Sequence, residues 1–233
     1  MEEPFKSSDK NCLCCDKKSP LLCMLTNEEV QLIGDHRHKV IFKKGETICK
    51  QGAPTSQVLS LCEGLAKLFL EGIDNRTSII RIVKPAGFVG GPGIFVDRIY
   101  HYTVTALIET AVCFIDLSYF IQLLDQNKMF AHAYMKYFGN NTLSVYKRLV
   151  NLTQKQVPGR MADTLIYLSN EVYEAQKFSL NLSKQDLADL SGMSKDSAIK
   201  VLRDFLHSGI INFCDHELEI LNPNELTRIS RIG

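Results

Sequence analysis

Hydrophobic residues between positions 40 and 116 come in short runs that glycine and proline separate. Turn signals such as Gly45, Gly52 and Gly64 stand between the runs. Short strands at nearly regular spacing, bounded by such turns, predict a β-sandwich or jelly roll. The runs cover residues 40–42, 58–61, 66–70, 78–83, 102–107 and 111–115.

After residue 117 the pattern changes to the period of a helix. Apolar and small residues recur at the a and d positions of about three heptads, which is the spacing of a coiled-coil seam. The sequence therefore predicts a long helix that pairs with a partner helix; a helix lying on the core of its own domain is the alternative. Pro158 removes a backbone donor and ends the helix, so we place a hinge there. The seam residues are Ala131, Met135, Phe138, Thr142, Val145, Leu149 and Leu152.

The region after residue 180 carries two helix starts with a tight turn between them. Ser183 caps the first helix, with Asp186 at its third position, and Ser194 caps the second. Gly192 stands where the turn between them needs a positive φ. This pattern predicts a helix-turn-helix, whose second helix belongs in the major groove of DNA.

The surroundings of this motif add a wing and leave one alternative open. Residues 210–213 and 218–220 predict a hairpin after the second helix. Helix-turn-helix units also occur as structural packing only. Residues 180–233 contain six Lys and Arg against eight Asp and Glu, so their overall charge does not favour phosphate contacts. The second helix itself, with Lys195 and Lys200, is more favourable.

Composition excludes several classes of protein and singles out cysteine. The 233 residues are 45% hydrophobic and 23% charged with a net charge of +1, which fits a globular protein and points to no polyanionic partner by itself. No apolar run reaches the roughly 18 residues of a membrane helix, and the N-terminus lacks a secretory pattern, so we expect a cytoplasmic protein. Reduced thiols are then expected, yet four of the eight cysteines lie in the first 23 residues, which calls for a metal or a redox explanation.

The order of these parts resembles the CRP/FNR family of bacterial transcription regulators. The most specific residues are 42–46 (FKKGE), 50–52 (KQG), 85–90 (PAGFVG) and the helix-turn-helix. The resemblance implies an α+β fold with an N-terminal β-roll, a jelly roll of the cyclic-nucleotide-binding type, a long dimerisation helix and a C-terminal winged helix-turn-helix. It also implies a homodimer that binds a two-fold symmetric DNA site and contacts RNA polymerase. The expected divisions are a Cys-rich arm (1–24), the roll (25–117), the dimerisation helix region (118–157) and the DNA-binding domain (158–233).

Position in the helix-turn-helix motif gives roles to single side chains. Lys195, Asp196 and Lys200 are expected to face the major groove, and Ser194 and Ser197 to lie nearer the phosphates. At the position of Lys200 the family usually has arginine, so the bidentate reading of guanine is lost although the charge is kept.

The resemblance also bears on the signal that the roll senses. Gly91-Pro92-Gly93 stands where the cyclic-AMP branch has a glutamate, and no arginine-serine pair follows, so we do not expect cyclic AMP to bind. The FNR branch holds a [4Fe–4S] cluster on three N-terminal cysteines and one in a late strand, which implies the ligands Cys12, Cys15, Cys23 and Cys113.

Other readings of these residues stay open. The gap between Cys15 and Cys23 is longer than the family's, and Cys14 is an additional candidate ligand. Cys113 is equally a small core residue, and the N-terminal thiols suit zinc or reactive cysteines. A small organic effector or haem in the roll is a further alternative.

An enzyme is not expected. Cupin metalloenzymes use the same roll, but His36 and His38 precede the first strand and the nearby Glu46 lies at a turn.

Overall fold

The computed structural model describes residues 20–233, which form two compact units. Unit 1 holds residues 20–66 and 83–141, and unit 2 holds residues 67–82 and 142–233. Cys12, Cys14 and Cys15 therefore lie outside the described residues. Within those residues no helix is both long and apolar enough to cross a membrane.

Strands dominate the first half of the chain and helices the second, so the predicted α+β class is confirmed. The strands are β1 (Arg37–Phe42), β2 (Thr47–Cys49), β3 (Gln57–Glu63), β4 (Ala66–Glu71), β5 (Thr77–Val83), β6 (Phe88–Val89), β7 (Thr103–Ala106), β8 (Thr110–Asp116), β9 (Lys177–Ser179), β10 (Ile211–Cys214) and β11 (Glu217–Ile220). The helices are α1 (Asn27–Asp35), α2 (Gly93–Val96), α3 (Leu117–Gln126), α4 (Lys128–Gln154), α5 (Val157–Tyr167), α6 (Lys184–Ser191), α7 (Lys195–His207) and α8 (Pro223–Ile232).

Unit 1 is a β-roll with helices on one of its sheets. Four antiparallel strands follow the order β1-β8-β3-β6, and β2 pairs with β7 in a second sheet. Phe88 of β6, Phe120 of α3 and Phe130 of α4 are fully buried in one cluster, so helices and sheet share a core. Helix α1 was not predicted from the sequence. Thr26 and Glu29 nevertheless fit the S/T-x-x-E pattern of a capping box, and they form this box at the start of α1.

The predicted long helix is interrupted once. Asn127 stands between α3 and α4, where its Oδ1 accepts a hydrogen bond from the Phe130 N–H and its Nδ2 donates to the Glu29 carboxylate. The side chain thus starts α4 as a cap and ties it to α1. At its other end α4 stops at Gln154, before Pro158, which lies in the first turn of α5, where a missing N–H costs no hydrogen bond.

Unit 2 contains the predicted helix-turn-helix and wing. The wing strands β10 and β11 form a sheet with β9, and its residue Leu218 is fully buried. The sequence analysis ended with this hairpin, but α8 follows it, capped by Asn222 with Pro223 in the first turn. Unit 2 also includes β4 and β5, which are neighbours in one sheet.

Candidate functional site

The helix-turn-helix consists of α6 and α7, and the predicted caps are confirmed. The Ser183 Oγ accepts from the Asp186 N–H at 3.1 Å, and the Asp186 carboxylate accepts from the Ser183 N–H at 2.9 Å. The Ser194 Oγ accepts from the Ser197 N–H at 3.2 Å and so starts α7. Gly192, between the helices, has φ 62° and ψ 47°, the left-handed conformation that favours glycine.

Helix α7 has one buried and one exposed face. Ala198, Val201 and Phe205 are buried against the rest of unit 2. On the other side, the side chains expected to face the major groove and the phosphates point outward. Lys195, Asp196, Lys200 and Ser194 are exposed, and Ser197 is half-buried.

Two arginines hold the end of α6, and sequence analysis identified neither. Arg148 of α4 donates from Nη1 to the Leu190 carbonyl at 2.6 Å and from Nη2 to the Asp189 carbonyl at 3.1 Å. Arg160 of α5 donates to the Gly192 carbonyl at 2.9 Å. Positive side chains satisfy the terminal carbonyls of a helix and complement its dipole. Burial lowers the pKa of Arg148.

The turn of the motif is also packed from α4. A Cβ added at Gly192 would come within 2.1 Å of the Leu152 Cδ2. Leu152, the last of the predicted seam residues, therefore contacts the helix-turn-helix of its own chain. Glycine is needed here both for its φ and for this close approach.

The hairpin of β4 and β5 holds the first helix of the motif. Lys67 Nζ donates to Asp186 Oδ1 at 2.5 Å, and Thr77 Oγ1 donates to the Asp189 carboxylate. Burial would raise the pKa of Asp186, but the hydrogen bonds from Lys67 and Ser183 outweigh it, so this pKa lies below its ordinary range.

The predicted seam forms an apolar stripe along α4. Met135 and Leu149 are 71% and 60% exposed, and Val145 is also exposed. Ala131, Phe138 and Thr142 are half-buried. The stripe is broader than predicted, because Leu143, Tyr146 and Val150 are exposed beside it.

The cysteines predicted as ligands differ in their surroundings. Cys113 on β8 is buried, and its Sγ accepts a hydrogen bond from Arg37 Nη1 at 2.8 Å. Its Sγ also lies 3.0 Å from that of Cys62. Cys23 is exposed, in a short 3-10 turn. Among residues 20–233, no three His, Cys, Asp or Glu side chains are grouped as a metal site would require.

The hydrogen bond from Cys62 is the largest influence on Cys113. It lowers the pKa of the Cys113 thiol, burial opposes it, and the charge of Arg37 adds to it, with a result of about 6. Cys49 is the opposite case, because burial raises the pKa of its thiol to about 12. A thiolate is therefore favoured at Cys113 and disfavoured at Cys49.

The segment where the cyclic-AMP branch binds its nucleotide is tightly packed here. A Cβ at Gly91 would come within 2.6 Å of the Tyr102 ring, and one at Gly93 within 1.8 Å of the Ile99 carbonyl. Tyr134 of α4 donates to the Gly90 carbonyl at 3.2 Å. Aromatic side chains and backbone thus fill the space beside these glycines.

Known proteins match both units of this architecture. The model of the cyclic nucleotide-binding domain matches residues 39–127, and that of the Crp-like helix-turn-helix domain matches residues 159–229. The transcriptional activator protein anr of Pseudomonas aeruginosa is 25% identical over 192 residues, 81% of this chain and 78% of the relative. A CRP-like cAMP-activated global transcriptional regulator of Mycobacterium tuberculosis is 22% identical over 82% of this chain and 88% of its own length.

A solved structure confirms the fold. FixK2 from Bradyrhizobium japonicum superposes with a TM-score of 0.77 at 17% identity, over 84% of this chain and 98% of FixK2. The two domain models match in the same order as the β-roll and the capped helix-turn-helix occur along the chain. Together these matches show that this chain belongs to the CRP/FNR family of DNA-binding transcription regulators.

Proposed function

We propose that this regulator acts as a homodimer that reads a two-fold symmetric DNA site and contacts RNA polymerase. One observation carries the DNA reading: Lys195, Asp196 and Lys200 stand exposed on α7 while the opposite face of the helix is buried. An amine and a carboxylate on one face supply a donor and an acceptor for base edges. The capped and arginine-held α6 keeps that face in a fixed orientation.

Selection from random duplexes tests this proposal. The full chain is incubated with the library, and the bound duplexes are sequenced. We expect an inverted repeat whose half-sites lie about one helical turn apart, as two copies of α7 related by a two-fold axis require. A consensus without two-fold symmetry would contradict the homodimeric reading.

The dimer is proposed from the stripe on α4. Exposed Met135, Val145 and Leu149 recur at heptad positions, and such residues become buried when a second helix packs against them. Apolar side chains of this size in a continuous row mark an interaction surface on a soluble protein. A second copy of the same helix has the matching pattern.

We further propose that the cysteines sense oxidants through a [4Fe–4S] cluster on Cys12, Cys15, Cys23 and Cys113. Cluster ligands are thiolates, and the surroundings of Cys113 favour its thiolate. Cys113 shares its sheet face with Ile115, which packs in one core cluster with Leu21, close to Cys23 in sequence. The described chain near Cys23 thus shares a core cluster with a residue on the sheet face of Cys113.

Such a cluster would supply iron–sulfide bonds that oxygen or nitric oxide destroys. The chain's own residues would pass the change on, because β8 leads directly into α3. Asp116, three residues after Cys113, accepts from the Ser118 N–H at 2.8 Å and caps that helix. A ligand tying the arm to Cys113 would therefore stabilise the helices that lead to the seam.

Anaerobic reconstitution with iron and sulfide distinguishes this proposal from its alternatives. The absorption spectrum and metal analysis distinguish a cluster from zinc or haem. If the roll binds an organic effector, the protein should contain neither iron nor zinc. One relative is named as cAMP-activated, so calorimetry with cyclic AMP is the matched test. We expect no heat of binding, because no arginine-serine pair follows Gly91-Pro92-Gly93 to hold the cyclic phosphate.

A further inference from the structure

A bulge in β3 brings two sulfur atoms of unit 1 together. The register between β3 and β8 shifts between Leu61 and Glu63, and Cys62 lies in this irregular step. A bulge re-aims the side chain that it contains. Cys62 here joins Ala111 and Cys113 in one buried cluster, and the two Sγ atoms are 3.0 Å apart.

Strand β1 adds two positive charges on the same sheet face. Lys39 is the register partner of Cys113, and Arg37 is the partner of Ile115. Residues opposite each other in antiparallel strands share a face, and Arg37 donates to the Cys113 Sγ at 2.8 Å. Among the described strands β1 lies at the edge of its sheet and Lys39 is exposed, so the sulfur pair lies beside a positively charged sheet edge.

The hydrogen bonds give the two sulfurs different roles. The Cys62 thiol donates to the Cys113 Sγ, which also accepts from Arg37. A sulfur that accepts two hydrogen bonds beside positive charge is stabilised as the thiolate, the reactive form.

We propose that Cys62 and Cys113 form a dithiol that a peroxide oxidises to a disulfide between β3 and β8, with Cys113 as the nucleophile and Cys62 as the resolving thiol. The Cys113 thiolate attacks one oxygen of hydrogen peroxide, the O–O bond breaks, and hydroxide leaves and takes up a proton as water. Cys113 is then a sulfenic acid. The Cys62 sulfur attacks the Cys113 sulfur, the S–O bond breaks, and a second water leaves with the Cys62 proton. Two thiols lose two electrons, and one peroxide becomes two waters.

This reaction does not depend on the proposed cluster. The disulfide removes the thiolate at Cys113 and so competes with any metal there, but it forms in protein without metal. Iron uptake is measured in a separate experiment, so the cluster proposal can be refuted while the disulfide proposal stands, and the reverse.

Peptide mapping of the metal-free full chain tests the reaction. The protein is treated with a stoichiometric amount of hydrogen peroxide at pH 7, alkylated and digested with trypsin. Cleavage after Lys50, Lys67, Arg98 and Lys128 places Cys62 and Cys113 in separate peptides, 51–67 and 99–128, each with a single cysteine. We expect these two peptides to be linked.

Variants assign the two roles. In Cys62→Ser we expect no linkage and a dimedone adduct of the sulfenic acid at Cys113, and Cys113→Ser gives neither product. Arg37→Gln slows the oxidation several-fold, because the thiolate loses a hydrogen bond and a charge. Cys49, a buried cysteine whose thiol form burial favours, is the internal control: it should stay reduced and be alkylated in full once the peroxide-treated protein is unfolded.

Three outcomes would overturn the proposal. Cys113 could remain fully alkylatable after peroxide, its peptide could be linked to an N-terminal cysteine in place of Cys62, or Cys49 could react as fast. Circular dichroism of each variant shows that it is folded. Cys62→Ala removes the hydrogen-bond donor as well as the resolving thiol, so it should give the same adduct at Cys113 but form it more slowly than Cys62→Ser.

Discussion

Lys67 of β4 donates a hydrogen bond to Asp186, whose carboxylate also closes the capping box of α6 with Ser183. One carboxylate therefore both starts the first helix of the DNA-binding motif and binds it to the hairpin. The lysine and aspartate side chains are 24% and 10% exposed, so solvent screens the pair only in part.

Replacing Lys67 with methionine tests this pair. We expect the free energy of unfolding at pH 7 to fall by about 1–3 kcal/mol, the range for a hydrogen bond to a charged group. The pKa of Asp186 is lower in the folded than in the unfolded chain, so its contribution is present above the unfolded value and is lost as pH falls through the folded value. The difference between Lys67→Met and wild type should therefore shrink in urea unfolding at acidic pH. Lys177→Met, which breaks an exposed pair with Glu217, is the control and should change little; an equal effect of both would refute this role of Lys67.

Gly192→Ala and Gly209→Ala form a matched pair. Both glycines have a positive φ, 62° and 64°, but a Cβ at Gly209 meets nothing within 4 Å, whereas one at Gly192 meets Leu152. We expect Gly209→Ala to cost about 1–2 kcal/mol for its backbone conformation alone and Gly192→Ala to cost more. The second substitution Leu152→Ala should recover part of that excess in thermal unfolding. Equal destabilisation by the two alanines would show that Leu152 gives way without cost.

Charged residues in the apolar stripe should separate the dimer. We expect Val145→Glu combined with Phe138→Glu to give folded monomers, because like charges would face each other across a dry seam. Lys147→Glu changes charge on the same helix outside the heptad positions and should leave the dimer intact. Sedimentation of the three proteins measures this. A wild type that is monomeric in every redox state would contradict the seam.

Asp196→Ala should relax the DNA preference at one base pair in each half-site. The exposed carboxylate is placed to accept from a cytosine amino group, and its loss should change discrimination there by about 1–3 kcal/mol. Binding-site selection with the variant measures the change. An unaltered consensus would remove Asp196 from the residues that read bases.

Cys113→Ser should abolish both iron uptake and tight operator binding under anaerobic conditions. The reason is the loss of the one proposed ligand that lies within the sheet. Cys49→Ser removes another buried cysteine and should change neither property. Visible absorption and fluorescence anisotropy on the selected duplex are the measurements. Normal DNA binding by Cys113→Ser would refute the sensor role and leave the regulator intact.

Features that depend on a few neighbouring residues, such as helix caps and tight turns, could be predicted from the sequence. The caps Ser183 and Ser194 and the turn at Gly192 act over three or four residues, so their pattern identifies the helix-turn-helix directly. The same signals at Thr26 and Asn222 precede α1 and α8, which were overlooked. The strands of the roll follow from their apolar runs and turn glycines.

The side-chain contacts that hold the helix-turn-helix and the sulfur pair in place could not be predicted from the sequence pattern. Arg148 and Leu190 are 42 positions apart, Cys62 and Cys113 are 51 apart, and Lys67 and Asp186 are 119 apart. No periodicity joins such residues, because their proximity depends on how strands and helices pack. The position of Cys62 depends in addition on a bulge, which shifts register by one residue without a glycine to announce it.

Arg148 and Leu149 are consecutive on α4, so their side chains point about 100° apart around one helical turn. The arginine grips the last carbonyls of α6, and the leucine lies in the proposed seam. In a dimer, a twist of α4 about its own axis that repacks Leu149 against the partner would carry Arg148 through the same angle. Torsion within a single turn of α4 would then set the tilt of α7, the helix proposed to enter the major groove. That tilt would in turn set the half-site spacing that the dimer accepts on DNA.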